Sequence, residues 1–193
     1  MIRIFIIGLF ILYSFSSGKP ANPSSVGIVA GSHGWGISYK RILKSQSDSE
    51  LNFEIRFYDV KGEDEFFTFD YFGNVNTYNE KSLVLIPAFG GWKYFPFAGK
   101  IENNFSPFLT LKAGPLFIFD GDEDISSFLE RWKKAQTFVT FGGYVGVGIK
   151  FLASNVTSIA VSAGLDILPM NGIIDDRSHY NGLIIQIDFS WRK

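Results

Sequence analysis

The chain has 193 residues, a formal net charge of −1, two histidines and no cysteine. That length supports one domain whose core needs no staples, and the lack of cysteine excludes disulfides and thiol-linked lipid. A pI near 6.1 gives no footprint for nucleic acid, whose binders concentrate basic charge.

The 21 Phe, 8 Tyr, 4 Trp and 20 Gly suit pleated strands, turns and close backbone approaches better than helices. The N-terminal "MIRIFIIGLFILYSFSSG" begins with a basic residue, continues through a twelve-residue apolar stretch and ends in small residues. This is a secretory signal pattern. Residues 1–18 are expected to be a signal peptide, with Ser16 and Gly18 before the cut and the mature chain starting near Lys19. Twelve apolar residues are too few to span a bilayer comfortably, and no later run approaches eighteen. Any crossing of a membrane must then be by strands.

Residues 19–24 read as a linker and 25–193 as one domain. Alternation and turn residues predict eight strands, at about 25–31, 35–43, 50–60, 82–95, 105–119, 136–151, 156–169 and 181–191. After the first hairpin, short and long connections take turns, so the long ones fall on the side away from the termini. Short periplasmic turns and longer outer loops are the layout of an outer-membrane barrel. The one helical-looking piece, "ISSFLERWKKA", lies inside a long connection.

Side chains alternate between the faces of a strand. Leu51, Phe53, Ile55 and Phe57 oppose Asn52, Glu54, Arg56 and Tyr58, and Leu109 and Leu111 oppose Thr110 and Lys112. Val139, Phe141, Val145, Val147, Ile149 and Phe151 oppose Thr140, Gly142, Tyr144, Gly146, Gly148 and Lys150. Ile159, Val161, Ala163, Leu165 and Ile167 oppose Ser158, Ser162, Gly164 and Asp166. In the last strand Leu183, Ile185, Ile187, Phe189 and Trp191 oppose Gln186, Asp188 and Ser190. The second strand is noisier, with Arg41 sharing a parity with Ile37 and Tyr39, and the fourth is apolar on both faces over its first half.

A soluble barrel would turn the greasy face inward and leave the other as its surface. A wall of Thr, Ser and Gly is a poor soluble surface, since such surfaces are typically a quarter or more charged. It makes a good crowded lumen. Lys40, Arg56 and Lys112 against Glu54, Asp166 and Asp188 nearly cancel, as an ion-paired interior requires. Facing lipid, each basic side chain would cost roughly 2 to 4 kcal/mol near the midplane. These six are expected to form a structural polar network in the lumen, and Leu183, Ile185, Ile187 and Phe189 to face lipid. An eight-stranded barrel has an interior that side chains just fill, so a plug is expected rather than an open pore. Trp35, Tyr39, Trp92, Tyr94, Phe95, Phe97, Phe105 and Trp191 fall near strand ends, where interfacial aromatic belts form.

The stretches "GIVAGSHGWGISYK", "LIPAFGGWKYFPF", "NNFSPFLTLKAGP" and "TFGGYVGVGIKF" with the alternating last strand resemble the small outer-membrane β-barrel superfamily of Gram-negative bacteria. The resemblance covers nearly all of residues 25–193, as a distant likeness to the membrane domain of outer-membrane protein A. It implies an all-β, eight-stranded antiparallel up-and-down transmembrane barrel in the outer membrane after secretion across the inner one. Outer-membrane lipid, lipopolysaccharide and the barrel-insertion machinery are the implied partners. The motifs specify architecture, not activity. One departure stands at the C-terminus, where Arg192 and Lys193 follow the aromatic Trp191 on which such chains commonly end.

Some barrels of this size are lipid-modifying enzymes, which makes "DDRSHYNG" the place to look for catalysis. A serine hydrolase needs a base within hydrogen-bond reach of the nucleophile and a third group orienting it. Ser178 and His179 are adjacent and point apart in an extended strand, and the deacylase-like order of His, then Ser two places on, then Asn is not present. His33, in the first tight connection, is expected to have no carboxylate neighbour and reads as a turn residue. Asp120, Asp122, Glu123 and Asp124 resemble a calcium loop but lack its spacing and terminal Glu. "ISSFLERWKKAQ" would place Phe128, Leu129 and Trp132 toward the interface and Arg131, Lys133 and Lys134 near phosphates, or pack on the rim. No catalytic, cofactor or metal site is expected. The reading is a non-enzymatic structural or surface-interaction protein, with a narrow channel or small-ligand transporter second and a lipid-modifying enzyme third.

Overall fold

A computed structural model describes residues 23–60, 66–69, 71, 75–78, 82–101, 104–121, 128–154, 156–174 and 177–191. The expected signal peptide and most of the linker lie outside them, as do Asp122, Glu123, Asp124, Asp175, Asp176, Arg192 and Lys193.

In chain order the strands are β1 (Ser24–Gly31), β2 (Gly34–Ser45), β3 (Ser49–Val60), β4 (Phe66–Phe69), β5 (Val75–Tyr78) and β6 (Leu83–Tyr94). They continue with β7 (Phe105–Asp120), β8 (Gln136–Leu152), β9 (Thr157–Ile167), β10 (Pro169–Ile174), β11 (Arg177–His179) and β12 (Gly182–Trp191). Among the described residues a short helix, α1 (Phe128–Lys133), precedes β8.

Eight of these strands close into an antiparallel barrel in the order β1-β12-β9-β8-β7-β6-β3-β2. Each barrel strand therefore neighbours the next one in the chain, and closure comes from β1 pairing with β12, Ser24 opposite Trp191. The eight expected strands are all present, with ends within a residue or two of the expected ones. Closure leaves no unpaired edge, the condition for burying backbone polar groups without water.

Both termini of the barrel lie at one end, together with the connections 46–48, 95–104 and 153–156. The long connections after β3, β7 and β9 lie at the other end with the Ser32–His33 turn. Two of them hold structure that the sequence reading treated as loop. β4 pairs with β5, and β10 with β11, as separate two-stranded sheets. The tight β1–β2 turn ends in Gly34 at φ 122°, a conformation that suits glycine. Between Ile42 and Lys44 the register of β2 on β3 shifts, so the barrel wall carries a bulge near the terminal end.

The interior has three tiers. Near the loop end, Val29, Tyr58, Leu83, Leu85, Leu116, Ile118, Leu168, Met170 and Ile184 form a buried apolar cluster. Near the terminal end, Phe95, Phe108 and Ala160 form a smaller one, with Ala98 of the 95–104 connection packed on it. Between them lie the charges. The apolar first half of β6 is explained by its position, since its inward Leu83, Leu85 and Phe89 join the upper cluster.

Candidate functional site

β2 and β3 place Lys40 directly opposite Glu54 in the antiparallel ladder, and both side chains point inward. Arg56 follows Glu54 by two residues on the same face. β7 contributes Lys112, β9 Asp166, and β12 Gln186 and Asp188, so the network ties opposite walls of the barrel across its lumen.

Glu54 is the hub. Its Oε1 accepts from Arg56 Nε at 2.5 Å and from Gln186 Nε2 at 3.1 Å. Its Oε2 accepts from Lys112 Nζ at 2.6 Å and lies 3.3 Å from Lys40 Nζ. Arg56 Nη1 donates to Asp166 Oδ1 at 2.7 Å and to Tyr58 Oη at 3.1 Å, and Tyr58 donates to Asp166 Oδ2 at 2.7 Å. Lys40 donates to Asp188 Oδ2 at 2.6 Å, while Gln186 Nε2 reaches Asp188 Oδ1 at 2.9 Å. The guanidinium of Arg56 and the ammonium of Lys112 each lie 4.7 Å from the Tyr144 ring centroid.

Three cations thus meet three carboxylates, and every one of the six carboxylate oxygens accepts a hydrogen bond. That is the condition under which buried charge is tolerated, because the Coulomb attraction and the bonds offset desolvation. A carboxylate so occupied is also a poor general base, since its lone pairs are committed.

A second charged group sits nearer the terminal end and was missed in the sequence. Glu50 accepts from Lys150 Nζ at 2.8 Å and lies 3.9 Å from Lys93 Nζ. Lys93 stands 4.2 Å from the Phe108 ring centroid. Glu50 has the parity of Glu54, Lys150 falls on the inward row of β8, and Lys93 shares the parity of Gly91 and Phe89, so the signal was present. The mixed apolar pattern of β6 hid Lys93.

Two expectations need correction. His33 is a turn residue but not remote from carboxylates: its turn bends into the barrel mouth, leaving the side chain buried with Nε2 3.8 Å from Asp166 Oδ2 and its ring edge-on to Tyr58. Gly182 makes the room, because a Cβ there would come within 2.8 Å of His33 Cε1. Phe95, assigned to the aromatic belt, instead turns inward against Phe108 at 6.0 Å between centroids. Trp35, Trp92, Phe97 and Phe105 are exposed on the outside.

The outer wall of β12 exposes Leu183 at 68%, Ile185 at 57%, Ile187 at 41% and Phe189 at 56%, whereas Ile184, Gln186 and Asp188 between them are buried. In the outer connections, Ser178 and His179 lie consecutively in β11, both exposed, and among the described residues no hydrogen bond joins them. Arg131 of α1 donates to Ser82 Oγ at 2.8 Å, which holds the helix on the end of β6. The side chains of Phe128 and Leu129 lie outside the described residues.

No protein-family model matches the chain, and no curated protein sequence matches it. Solved structures do match in fold. Neisserial surface protein A aligns over 89% of this chain and 95% of its own at 10% identity and TM-score 0.55. The N-terminal β-barrel domain of Pseudomonas aeruginosa OprF covers 90% of this chain and 100% of its own at 11% identity and TM-score 0.43. The outer membrane enzyme PagL covers 86% and 97% at 14% identity and TM-score 0.40. At such identities the likeness is one of fold, that of a small eight-stranded barrel.

Proposed function

We propose that this chain is an outer-membrane β-barrel protein of a Gram-negative bacterium, delivered by secretion across the inner membrane, with a structural or surface-interaction role and no catalysis. The observation that carries the reading is the opposition of the two walls. Every barrel strand exposes large apolar side chains outward, among them Ile28, Ile37, Phe53, Trp92, Leu111, Phe141, Leu165 and Leu183. In water that wall would be an apolar patch far beyond what soluble monomers carry. Along β8 the outward apolar residues run from Val139 to Phe151, about 40 Å of strand at roughly 3.3 Å per residue. Tilted by about 40°, that length rises about 30 Å, enough to cover an apolar band about 25 Å tall.

The inner wall buries its six central charges as a balanced, hydrogen-bonded network, which supports a closed lumen. The loop end, with the connections around 61–81, 120–135 and 170–180, then faces the outside and offers the surface to a partner, while the termini lie in the periplasm. Outer-membrane lipid and lipopolysaccharide surround the wall, and the barrel-insertion machinery is the partner that places it there. The test of the plug is single-channel conductance in planar bilayers. The wild-type chain is expected to show no persistent open events. Persistent openings abolished by changing Arg56 or Asp166 would replace the plug with a narrow channel.

A further inference from the structure

The polar residues between the two charged groups are not satisfied by one another. Asn52 and Thr110 are both almost fully buried, and neither Asn52 Nδ2 and Oδ1 nor Thr110 Oγ1 has a hydrogen-bond partner among the described residues. Buried polar atoms of this kind are normally bonded, and an orphaned one costs on the order of 1–3 kcal/mol. Something in the lumen is expected to bond them.

Their placement brings them to the same few residues. Asn52 pairs with Gly91 across β3 and β6, and Thr110 pairs with Lys93 across β7 and β6. Gly91 contributes no side chain there: a Cβ would lie 2.6 Å from Asn52 Oδ1 and 3.0 Å from Lys112 Cγ, so Asn52 and Lys112 both fold over the space it leaves. Lys93, buried beside them, makes no hydrogen bond among the described residues; its ammonium lies over the Phe108 ring and 3.9 Å from Glu50, whose carboxylate already takes Lys150.

Charge identifies the missing group. At the level of Glu50 the barrel turns two ammonium groups inward, Lys93 and Lys150, against the single carboxylate of Glu50. The central six balance, so the surplus positive charge belongs to the Glu50, Lys93 and Lys150 group. Two ammonium groups sharing one carboxylate leave positive charge uncompensated, which a low-dielectric interior disfavours. We propose that the lumen binds one small monovalent anion of halide size, held by Lys93 Nζ, Asn52 Nδ2 and the Thr110 hydroxyl. A water accompanying the anion would satisfy Asn52 Oδ1, the remaining acceptor.

The purified, refolded barrel is heated in sodium bromide or sodium chloride, with gluconate replacing the halide at constant ionic strength. A ligand bound only by the native state raises the transition temperature by mass action. The wild-type protein is expected to gain about 2–4 °C at halide concentrations giving roughly 1 kcal/mol of linkage, and Lys93→Met to gain none. Should Lys93→Met fail to fold, chloride-35 line broadening on the wild type and on Thr110→Val provides the second readout, with excess broadening present in the first and reduced in the second. A transition set by ionic strength alone, or a halide shift that persists in the variants without excess broadening, overturns the site and leaves water as the occupant.

Discussion

Arg56 is the side chain on which the lumen depends most. It donates to Glu54, Asp166, Tyr58 and Gln186 and lies against the ring of Tyr144, all within the barrel. Truncating it would leave Asp166 with only Tyr58 as a close donor and Glu54 with two lysines and Gln186. Breaking a buried pair by removing one partner costs about 3–5 kcal/mol, because the other charge stays behind. Arg56→Ala is therefore expected to lower the unfolding temperature followed by heat modifiability on a gel, and Asp166→Asn in the same chain to restore part of the loss. Replacing Ser190, at the half-exposed end of β12, should change little. An unchanged transition in Arg56→Ala would mean a solvated guanidinium and a wet lumen.

At the scale of elements, the fit of β8 against β9 is set by two glycines and one ring. Tyr144 folds over Gly146 and Gly164, where a Cβ on Gly164 would meet the Val145 carbonyl oxygen and lie 2.7 Å from Tyr144 Oη. Backbone cannot yield as a flexible side chain does. Gly164→Ala is expected to destabilise the barrel by about 1–3 kcal/mol, the usual cost of overpacking. Gly90→Ala, whose nearest neighbour would be Ala113 O at 3.8 Å, should be nearly neutral in the same heat series. Equal effects at both sites would remove the steric explanation. β3, β7, β8, β9 and β12 were legible because period-two alternation is sustained along each, while the noisier β2 and the two-faced apolar start of β6 were bounded by turn residues. The β4–β5 hairpin was not, since two four-residue strands joined through residues 70–74 give neither a sustained period nor a two-residue turn. Phe95 and His33 escaped for a related reason: each stands just past a strand end, where the alternation that assigns faces no longer applies.

For the whole molecule, parity assigns each charge to a wall, but the stagger of the closed barrel decides partners. Glu54 and Lys112 come together from strands 58 residues apart in the chain, and Arg56 and Asp166 from strands 110 apart. No spacing in the sequence encodes those distances. The surplus of Lys93 likewise emerges only once inward residues from all strands are set side by side. Beneath these details lies one claim, that the apolar wall faces lipid and the charged wall faces a packed interior. Single-cysteine scanning of residues 182–190 in membranes, read with a lipid-soluble thiol label, tests it most directly. Strong labelling at 183, 185, 187 and 189 with protection at 184, 186 and 188 is the expected pattern; protection of the odd positions, or labelling without alternation, would contradict it.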